Sequence, residues 1–219
     1  CDARLAEELA LAQPGCPTLT QVLHFNTPEA GGLDARAAAK PAAFDNVKTS
    51  AEDTCIIAFT SGTTGQPKGT MHFHRDLMIN ADGYAKEVLG VTPEDVFVGS
   101  PPLAFTFGLG GLAVFPLRFG AAAALLEQAS PPNMIEIIQK HRATVCFTAP
   151  TAYRVMLKAM AEGADLSSLR AAVSAGETLP GPVYDEWMQK TGKPMLDGIG
   201  ATEMLHIFIT NRFDDHSPA

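Results

Sequence analysis

The chain alternates short apolar runs with segments in which apolar residues recur every three or four positions. Short runs flanked by Gly, Pro and polar residues are typical of strands, whereas the wider spacing is typical of amphipathic helices. The pattern predicts strands over 18–25, 54–59, 96–99, 121–126, 144–148, 169–174 and 194–199. It predicts helices over 2–12, 76–89, 132–141, 151–161 and 181–190, and a surface connection over 27–49. This alternation favours an α/β fold with a largely parallel sheet and helices on both faces.

Three of the predicted strands are followed by turns that carry hydroxyl or carboxylate groups. These turns are loop 60–69 (TSGTTGQPKG), segment 174–178 (SAGET) and segment 197–203 (DGIGATE). Because the carboxyl ends of parallel strands meet at one edge of a sheet, we expect the three turns to lie at the same edge. Any one of them alone is explained as an ordinary strand-to-helix turn with an N-cap. Together they predict a composite nucleotide site.

Loop 60–69 combines small residues, hydroxyl groups and one cation, a composition that suits a polyphosphate. Glycine lets backbone N–H groups approach oxyanions, and Lys68 supplies a positive charge. The apolar segment 55–59 before the loop is interpreted as a buried strand. The spacing is not that of a P-loop, since Lys68 is followed by Gly69 and Thr70 rather than directly by Ser or Thr. A flexible surface loop is the alternative that composition alone leaves open.

Composition and charge disfavour several other classes of protein. The 219 residues are 46% hydrophobic, enough to bury a sizeable core. A net charge of −8 without any basic run argues against nucleic-acid binding. No apolar stretch reaches the roughly 18 residues that cross a bilayer, and no signal-peptide pattern is present, so we expect no membrane partner. The four cysteines lack metal-ligand spacing, which predicts reduced thiols and a cytoplasmic protein.

The order of residues in loop 60–69 resembles the phosphate-loop signature of the adenylate-forming superfamily, which comprises acyl-CoA synthetases, luciferases and peptide-synthetase adenylation domains. Segment 174–177 (SAGE) resembles the turn that flanks the adenine in that family. Segment 198–203 (GIGATE) resembles its second signature, an aromatic residue followed by G-x-T-E, with Ile199 in the usual tyrosine position. The resemblance implies that residues 1–219 are the central part of the large ATP- and acid-binding domain, without the C-terminal domain that bears the catalytic lysine.

The resemblance also implies which residues hold ATP and Mg²⁺. Thr202 would bind the α-phosphate, Glu203 would hold Mg²⁺, and Asp197 would face the adenine amino group. With Lys68 on the outer phosphates, the implied catalytic residues are Lys68, Thr202 and Glu203. The implied ATP-binding residues are Thr60, Ser61, Gly62, Thr63, Thr64, Gly65, Lys68, Ala175, Gly176, Glu177, Asp197, Gly198, Ile199, Gly200 and Thr202.

The segment between the signatures bears on the acid substrate. Many relatives place a histidine within 100–110, whereas this chain has two phenylalanines there, which suits a flat apolar substrate. Segment 203–208 (EMLHIF) resembles the benzoate-CoA ligase branch, including 2-aminobenzoate-CoA ligases, in which the histidine after the T-E pair lies beside the aryl acid. Ordinary core packing is the alternative for these rings. The implied acid-binding residues are Ala104, Phe105, Phe107, Gly108 and His206.

The resemblance implies an ATP-dependent ligase of aromatic-compound degradation that activates a benzoate or 2-aminobenzoate type of acid and transfers it to coenzyme A. A fatty-acyl-CoA ligase of the same superfamily is an open alternative, while the absence of an Asp in 104–107 disfavours amino-acid activation. A nucleotide-binding module without turnover is a further alternative, and we expect the chain alone to be inactive or weak. Its predicted partners are small molecules only, and the pattern carries no signal for an oligomeric state.

Overall fold

The chain forms two compact units, Cys1–Lys48 and Thr49–Ala219, in a computed structural model that describes residues 1–60 and 65–216. The elements of the first unit are a 3₁₀ turn (Ala3–Leu5), α1 (Ala6–Ala12), a second 3₁₀ turn (Gln13–Gly15) and α2 (Leu33–Ala38). The strand predicted over 18–25 is wrong. Within the described residues this segment has only an isolated bridge between Asp2 and Phe25. Without a neighbouring strand its backbone groups cannot form a ladder.

Two antiparallel strands, β1 (Thr54–Thr60) and β2 (Lys68–Phe73), open the second unit as a separate hairpin. The interpretation of the first strand as buried is wrong, since Ile57 and Phe59 are exposed on a two-stranded sheet. Loop 60–69 therefore connects the two strands of this hairpin and does not follow a strand of the main sheet. This corrects the expectation that all three turns follow strands of one parallel sheet.

The main sheet of this unit has six strands. In chain order they are β3 (Val96–Gly99), β4 (Ala122–Ala123), β5 (Val145–Thr148), β6 (Ala171–Ala175), β7 (Met195–Gly200) and β8 (Ile207–Thr210). Across the sheet the order is β4-β3-β5-β6-β7-β8, and among these described strands only β8 runs antiparallel to its neighbour. The central strands β5 and β6 are buried along their whole length, as parallel strands covered on both faces should be.

Helical segments cover both faces of this sheet. They are α3 (His74–Asn80), a π-helical turn (Ala81–Lys86), α4 (Thr106–Leu109), a second π-helical turn (Gly110–Val114), α5 (Phe115–Phe119), α6 (Pro131–His141), α7 (Pro150–Ala161), α8 (Gly181–Thr191) and a 3₁₀ turn (Thr202–Met204). On one face α6, α7 and α8 pack around Tyr153 and Trp187. On the other face the π-helical turns and α5 pack around Tyr84, Phe115 and Phe147. The α/β class with helices on both faces is confirmed.

Two segments on the second face differ from expectation. The strand predicted over 121–126 shortens to Ala122 and Ala123, because only these residues pair with β3 at the sheet edge. Residues 106–119 form consecutive helical turns that the sequence pattern did not predict. Among the described helices none is long and apolar enough to cross a bilayer.

Candidate functional site

A cavity of about 400 Å³, here called the aromatic cavity, opens at the carboxyl ends of the parallel strands. Two of the predicted turns meet in its wall. Ala175 and Gly176 come from the turn after β6, whereas Gly200 and Thr202 come from the end of β7 and the turn that follows. The parallel topology brings these turns together because consecutive strands end at the same edge.

Three of the five predicted acid-binding residues line the aromatic cavity, namely Phe105, Phe107 and His206. Ala104 is exposed and Gly108 is buried, and neither is among the lining residues. A Cβ on Gly108 would lie 2.2 Å from the carbonyl oxygen of Pro102. Gly108 therefore shapes the backbone of this segment and does not form part of the cavity surface.

His206 is buried at the wall of the aromatic cavity, with 1% of its surface exposed. Its ring centroid lies 4.7 Å from that of Phe115, 5.2 Å from those of Tyr84 and Phe107, and 5.6 Å from that of Phe147. Within the described residues neither ring nitrogen forms a hydrogen bond, although the Phe107 backbone lies close. Burial lowers the pKa of His206 to about 3, so the imidazole is neutral near pH 7. A neutral imidazole carries one donor and one acceptor, and both of these nitrogens are buried here.

Gly110 makes this position of the imidazole possible. It is buried in the π-helical turn Gly110–Val114, and a Cβ on it would lie 2.6 Å from Cδ2 of His206. A larger residue would displace the ring. Sequence reasoning missed Gly110 and three of the four surrounding aromatic rings, because apolar core positions do not reveal which side chain they enclose. The Gly108-Leu109-Gly110-Gly111 run was the available signal.

The 3₁₀ turn Thr202–Met204 lies between the aromatic cavity and a second cavity of about 520 Å³, here called the polar cavity. Thr202 lines the aromatic cavity, whereas the exposed Glu203 lines the polar cavity together with His72 and Asp76. The two neighbouring residues therefore line different cavities. The wall of the aromatic cavity includes the rings of Phe105, Phe107 and His206, whereas that of the polar cavity includes carboxylate and imidazole groups.

Two side chains from distant segments bond to the backbone of this turn. His72 Nε2 lies 2.8 Å from the carbonyl oxygen of Thr202, and Asn80 Nδ2 lies 3.5 Å from that of Met204. Leu205 ends the turn with φ of 65°, in the left-handed region that L-residues rarely adopt. Sequence reasoning missed His72, since 130 residues separate it from its partner.

The exposed carboxylate of Glu203 is compatible with a magnesium ion that arrives with a nucleotide, and its role as a ligand stays a prediction. Within residues 1–60 and 65–216 no group of three or more His, Cys, Asp or Glu side chains could hold a metal. Mg²⁺ keeps several waters and is commonly bound through one or two carboxylates plus substrate phosphates. One exposed carboxylate beside a candidate phosphate-binding turn meets this requirement.

The other predicted adenine-site residues lie at the ends of β6 and β7. Burial raises the pKa of Asp197, while the hydroxyl of Ser174 and nearby backbone N–H groups oppose that shift. Ile199 is exposed on β7, and Gly198 packs against β8. Glu177 is exposed, with Oε1 3.4 Å from the hydroxyl of Thr151 in α7. None of these four predicted residues is among those lining the aromatic cavity.

The phosphate loop is described only in part. Ser61, Gly62, Thr63 and Thr64 lie outside the described residues. Thr60 pairs with Lys68 at the end of the hairpin, and Gly65 has φ of 77°. Lys68 is exposed, and β1 lies beside the turn Thr202–Met204. The convergence of Lys68 and Glu203 on one ligand stays a prediction.

Comparison with known proteins gives consistent matches along the whole chain. Residues 1–219 match the family described as AMP-binding enzyme. The benzoate–CoA ligase of Thauera aromatica is 39% identical over 203 residues, which cover 91% of this chain and 38% of the relative. The 3-hydroxybenzoate–CoA ligase of Aromatoleum sp. (strain CIB) is 36% identical over 218 residues, which cover 95% of this chain and 40% of the relative.

Solved structures agree with these relatives. The crystal structure of the anthranilate CoA ligase AuaEII in complex with anthranoyl-AMP has a TM-score of 0.89 to this chain at 34% identity. The match covers 99% of this chain and 43% of that one. The chain therefore spans about two fifths of the length of the proteins that it matches.

Proposed function

The chain belongs to the AMP-binding enzyme family, and from that premise we propose that it is the central part of a ligase that joins an aromatic acid to coenzyme A at the expense of ATP. The observation that carries this proposal is the aromatic cavity beside the turn Thr202–Met204. The relatives named above as benzoate–, 3-hydroxybenzoate– and anthranilate–CoA ligases support the same class of acid.

The proposed reaction has two halves. A carboxylate oxygen of the acid attacks the α-phosphorus of ATP, the bond between that phosphorus and the oxygen bridging to the β-phosphate breaks, and pyrophosphate leaves. The thiolate of coenzyme A then attacks the acyl carbon and AMP leaves. The acid is already ionised at pH 7, so the first half needs no general base. Since two anions must meet, positioning and charge neutralisation carry the catalysis.

Three side chains have proposed roles in the first half. Thr202 orients the α-phosphate, and Lys68 holds the β- and γ-phosphates. Glu203 would hold Mg²⁺, which would supply positive charge beside the reacting phosphates. The register of β2 supports the role of Lys68. Lys68, Thr70 and His72 alternate along the strand, so they share one face, and that face bonds to the turn through His72.

The aromatic cavity is the proposed place for the ring of the acid. Phe105 and Phe107 provide apolar wall, and the neutral imidazole of His206 avoids placing a cation against that ring. Its two ring nitrogens are buried, so the imidazole contributes ring surface to the wall rather than a free hydrogen-bonding group. Benzoate, hydroxybenzoates and 2-aminobenzoate are therefore the proposed acids.

The test is ATP–pyrophosphate exchange by the full-length gene product, with matched aryl and alkyl acids. We expect exchange with benzoate or 2-aminobenzoate to exceed that with a fatty acid of similar size. Preference for the alkyl acid would favour the fatty-acyl alternative. Calorimetry of ATP binding without exchange would favour a nucleotide-binding module. Sequencing the gene beyond Ala219 tests the proposed downstream domain that bears the catalytic lysine. The cytoplasmic location of the protein stays a prediction.

A further inference from the structure

A partly buried hydrogen bond joins the β1–β2 hairpin to the turn that carries Thr202 and Glu203. His72 lies on β2 with 4% of its surface exposed, and its Nε2 is 2.8 Å from the carbonyl oxygen of Thr202. A carbonyl oxygen only accepts hydrogen bonds, so the tautomer with hydrogen on Nε2 is the one that fits. The ring therefore donates to the backbone of the turn.

Within residues 1–60 and 65–216 the turn has few other restraints, one of which is the 3.5 Å contact from Asn80 Nδ2 to the carbonyl oxygen of Met204. Its backbone bonds are those from Met204 N to Ala201 O and from Leu205 N to Thr202 O, at 3.1 and 3.2 Å. The second bond ends on the same oxygen that accepts from His72. Leu205 holds a left-handed φ of 65°, a conformation that persists only when surrounding contacts fix it. The bond from His72 is one such contact, since it anchors the first residue of the turn.

We propose that His72 is a positioning residue for the adenylation half-reaction. It fixes the Thr202 carbonyl, and thereby the side chains of Thr202 and Glu203, relative to the strand that begins at Lys68. The inference rests on the proposed function for its catalytic consequence. His72 itself acts through the backbone of Thr202 and needs no contact with ATP or acid.

Two variants of the full-length gene product test this role. His72→Leu keeps an apolar side chain of similar size but removes the donor, whereas His72→Gln places an amide N–H near the position of Nε2. For His72→Leu we expect kcat of pyrophosphate exchange to fall about 10- to 100-fold, because misplacement by about 1 Å costs that much. KM values for ATP and acid should change less than about threefold, a split expected when ground-state binding is retained. His72→Gln should restore most of kcat.

Tyr153→Phe is the matched control. It also removes hydrogen bonds from a buried side chain to backbone carbonyls, those of Cys146 and Val173. These bonds lie in the core between the main sheet and helices α6, α7 and α8. We expect it to lower the melting temperature and to leave kcat unchanged. If His72→Leu behaves in the same way, or if His72→Gln loses as much kcat as His72→Leu, the positioning role is wrong.

Amide hydrogen exchange separates failure of this role from failure of the proposed function. The N–H of Leu205 should exchange about tenfold faster in His72→Leu than in the wild type and His72→Gln, because a fixed Thr202 carbonyl holds that N–H. Unchanged exchange would overturn the inference whatever the activity. A wild type without pyrophosphate exchange would overturn the proposed function and the catalytic part of the inference, while the amide rates would still decide whether His72 fixes the turn.

Discussion

The aromatic cavity and the polar cavity adjoin the same three-residue turn but are built from different material. The wall of the aromatic cavity combines the buried imidazole of His206, at 1% exposure, with the half-buried Phe107, the exposed Phe105 and the carboxyl ends of β6 and β7. The polar cavity takes its wall from β2, α3 and β8, with the exposed Glu203 at its surface. Under the proposed function, the acid would be selected by residues that include the buried His206. The phosphates would instead be bound beside a surface turn that a few hydrogen bonds hold in place.

The largest expected effect lies on the side of the polar cavity. Glu203→Gln should lower pyrophosphate exchange by about 10²–10³-fold, as expected when one electrostatic contact to the transition state is removed. Lys68→Ala should lower pyrophosphate exchange by only about tenfold. The exposed Lys68 side chain is proposed to make one bond to the outer phosphates, and the substitution removes one bond between charged groups. Exchange assays at saturating ATP compare the two, and equal losses would contradict this ranking.

The next largest effect is expected for Gly110→Ala, which tests whether the position of the buried His206 ring matters for stability and for acid binding. Gly110→Ala places a Cβ where 2.6 Å separates it from the imidazole of His206, so the ring must move. We expect a loss of about 1–3 kcal/mol in the free energy of unfolding, typical of overpacking, together with a raised KM for the acid. Urea unfolding and exchange kinetics measure both. Gly83→Ala is the control, since a Cβ there meets nothing within 4 Å. An unchanged KM in Gly110→Ala would show that the ring position does not matter for the acid.

A smaller effect separates acid selection from nucleotide binding. His206→Ala and Phe107→Ala should each change the ratio of kcat/KM between benzoate and 2-aminobenzoate by about tenfold, the size expected for one pocket contact. The Kd for ATP, measured by calorimetry, should stay within about twofold of the wild-type value. This change in binding free energy is well below the roughly 1.4 kcal/mol that corresponds to a tenfold change in Kd. An unchanged acid preference would remove these residues from the acid pocket.

The smallest expected effect is a pH dependence of stability on the aromatic side. Burial lowers the pKa of His206 from 6.5 to about 3 in the folded chain, so protonation favours the unfolded state. The stabilisation from this group is complete above pH 6.5 and declines as pH falls from 6.5 towards 3. Between pH 6.5 and 5.5 the wild type should lose roughly 1 kcal/mol more unfolding free energy than His206→Phe. Parallel urea-unfolding profiles for the two proteins would refute this assignment.

The sequence predicted the parts of the fold in which burial is continuous. Strands β5 and β6 are buried throughout, so their apolar runs carry a clear signal. β2 begins with Lys68 and Gly69, and β8 is an edge strand in which Phe208 and Ile209 are exposed, so neither strand is continuously buried. The segment 106–119 was missed because its glycines have weak helix propensity, and tertiary packing around Phe115 stabilises it instead.

The candidate site divides in the same way. Residues such as Thr202, Phe107 and His206 could be proposed because they stand in or near short ordered motifs, and all three line the aromatic cavity. The residues that support them could not, because their partners are distant in sequence. His72 lies 130 positions from Thr202, and Gly110 is recognisable only once the imidazole is seen against it.

The central claim is that Thr202, in the turn Thr202–Met204, binds the α-phosphate while the ring of the acid lies in the aromatic cavity. A crystal structure of the full-length gene product with benzoyl-adenylate tests it most directly. We expect the phenyl ring beside Phe107 and His206, with the phosphate within hydrogen-bond distance of Thr202. A ring bound elsewhere, with the aromatic cavity filled by the protein's own side chains, would contradict the claim.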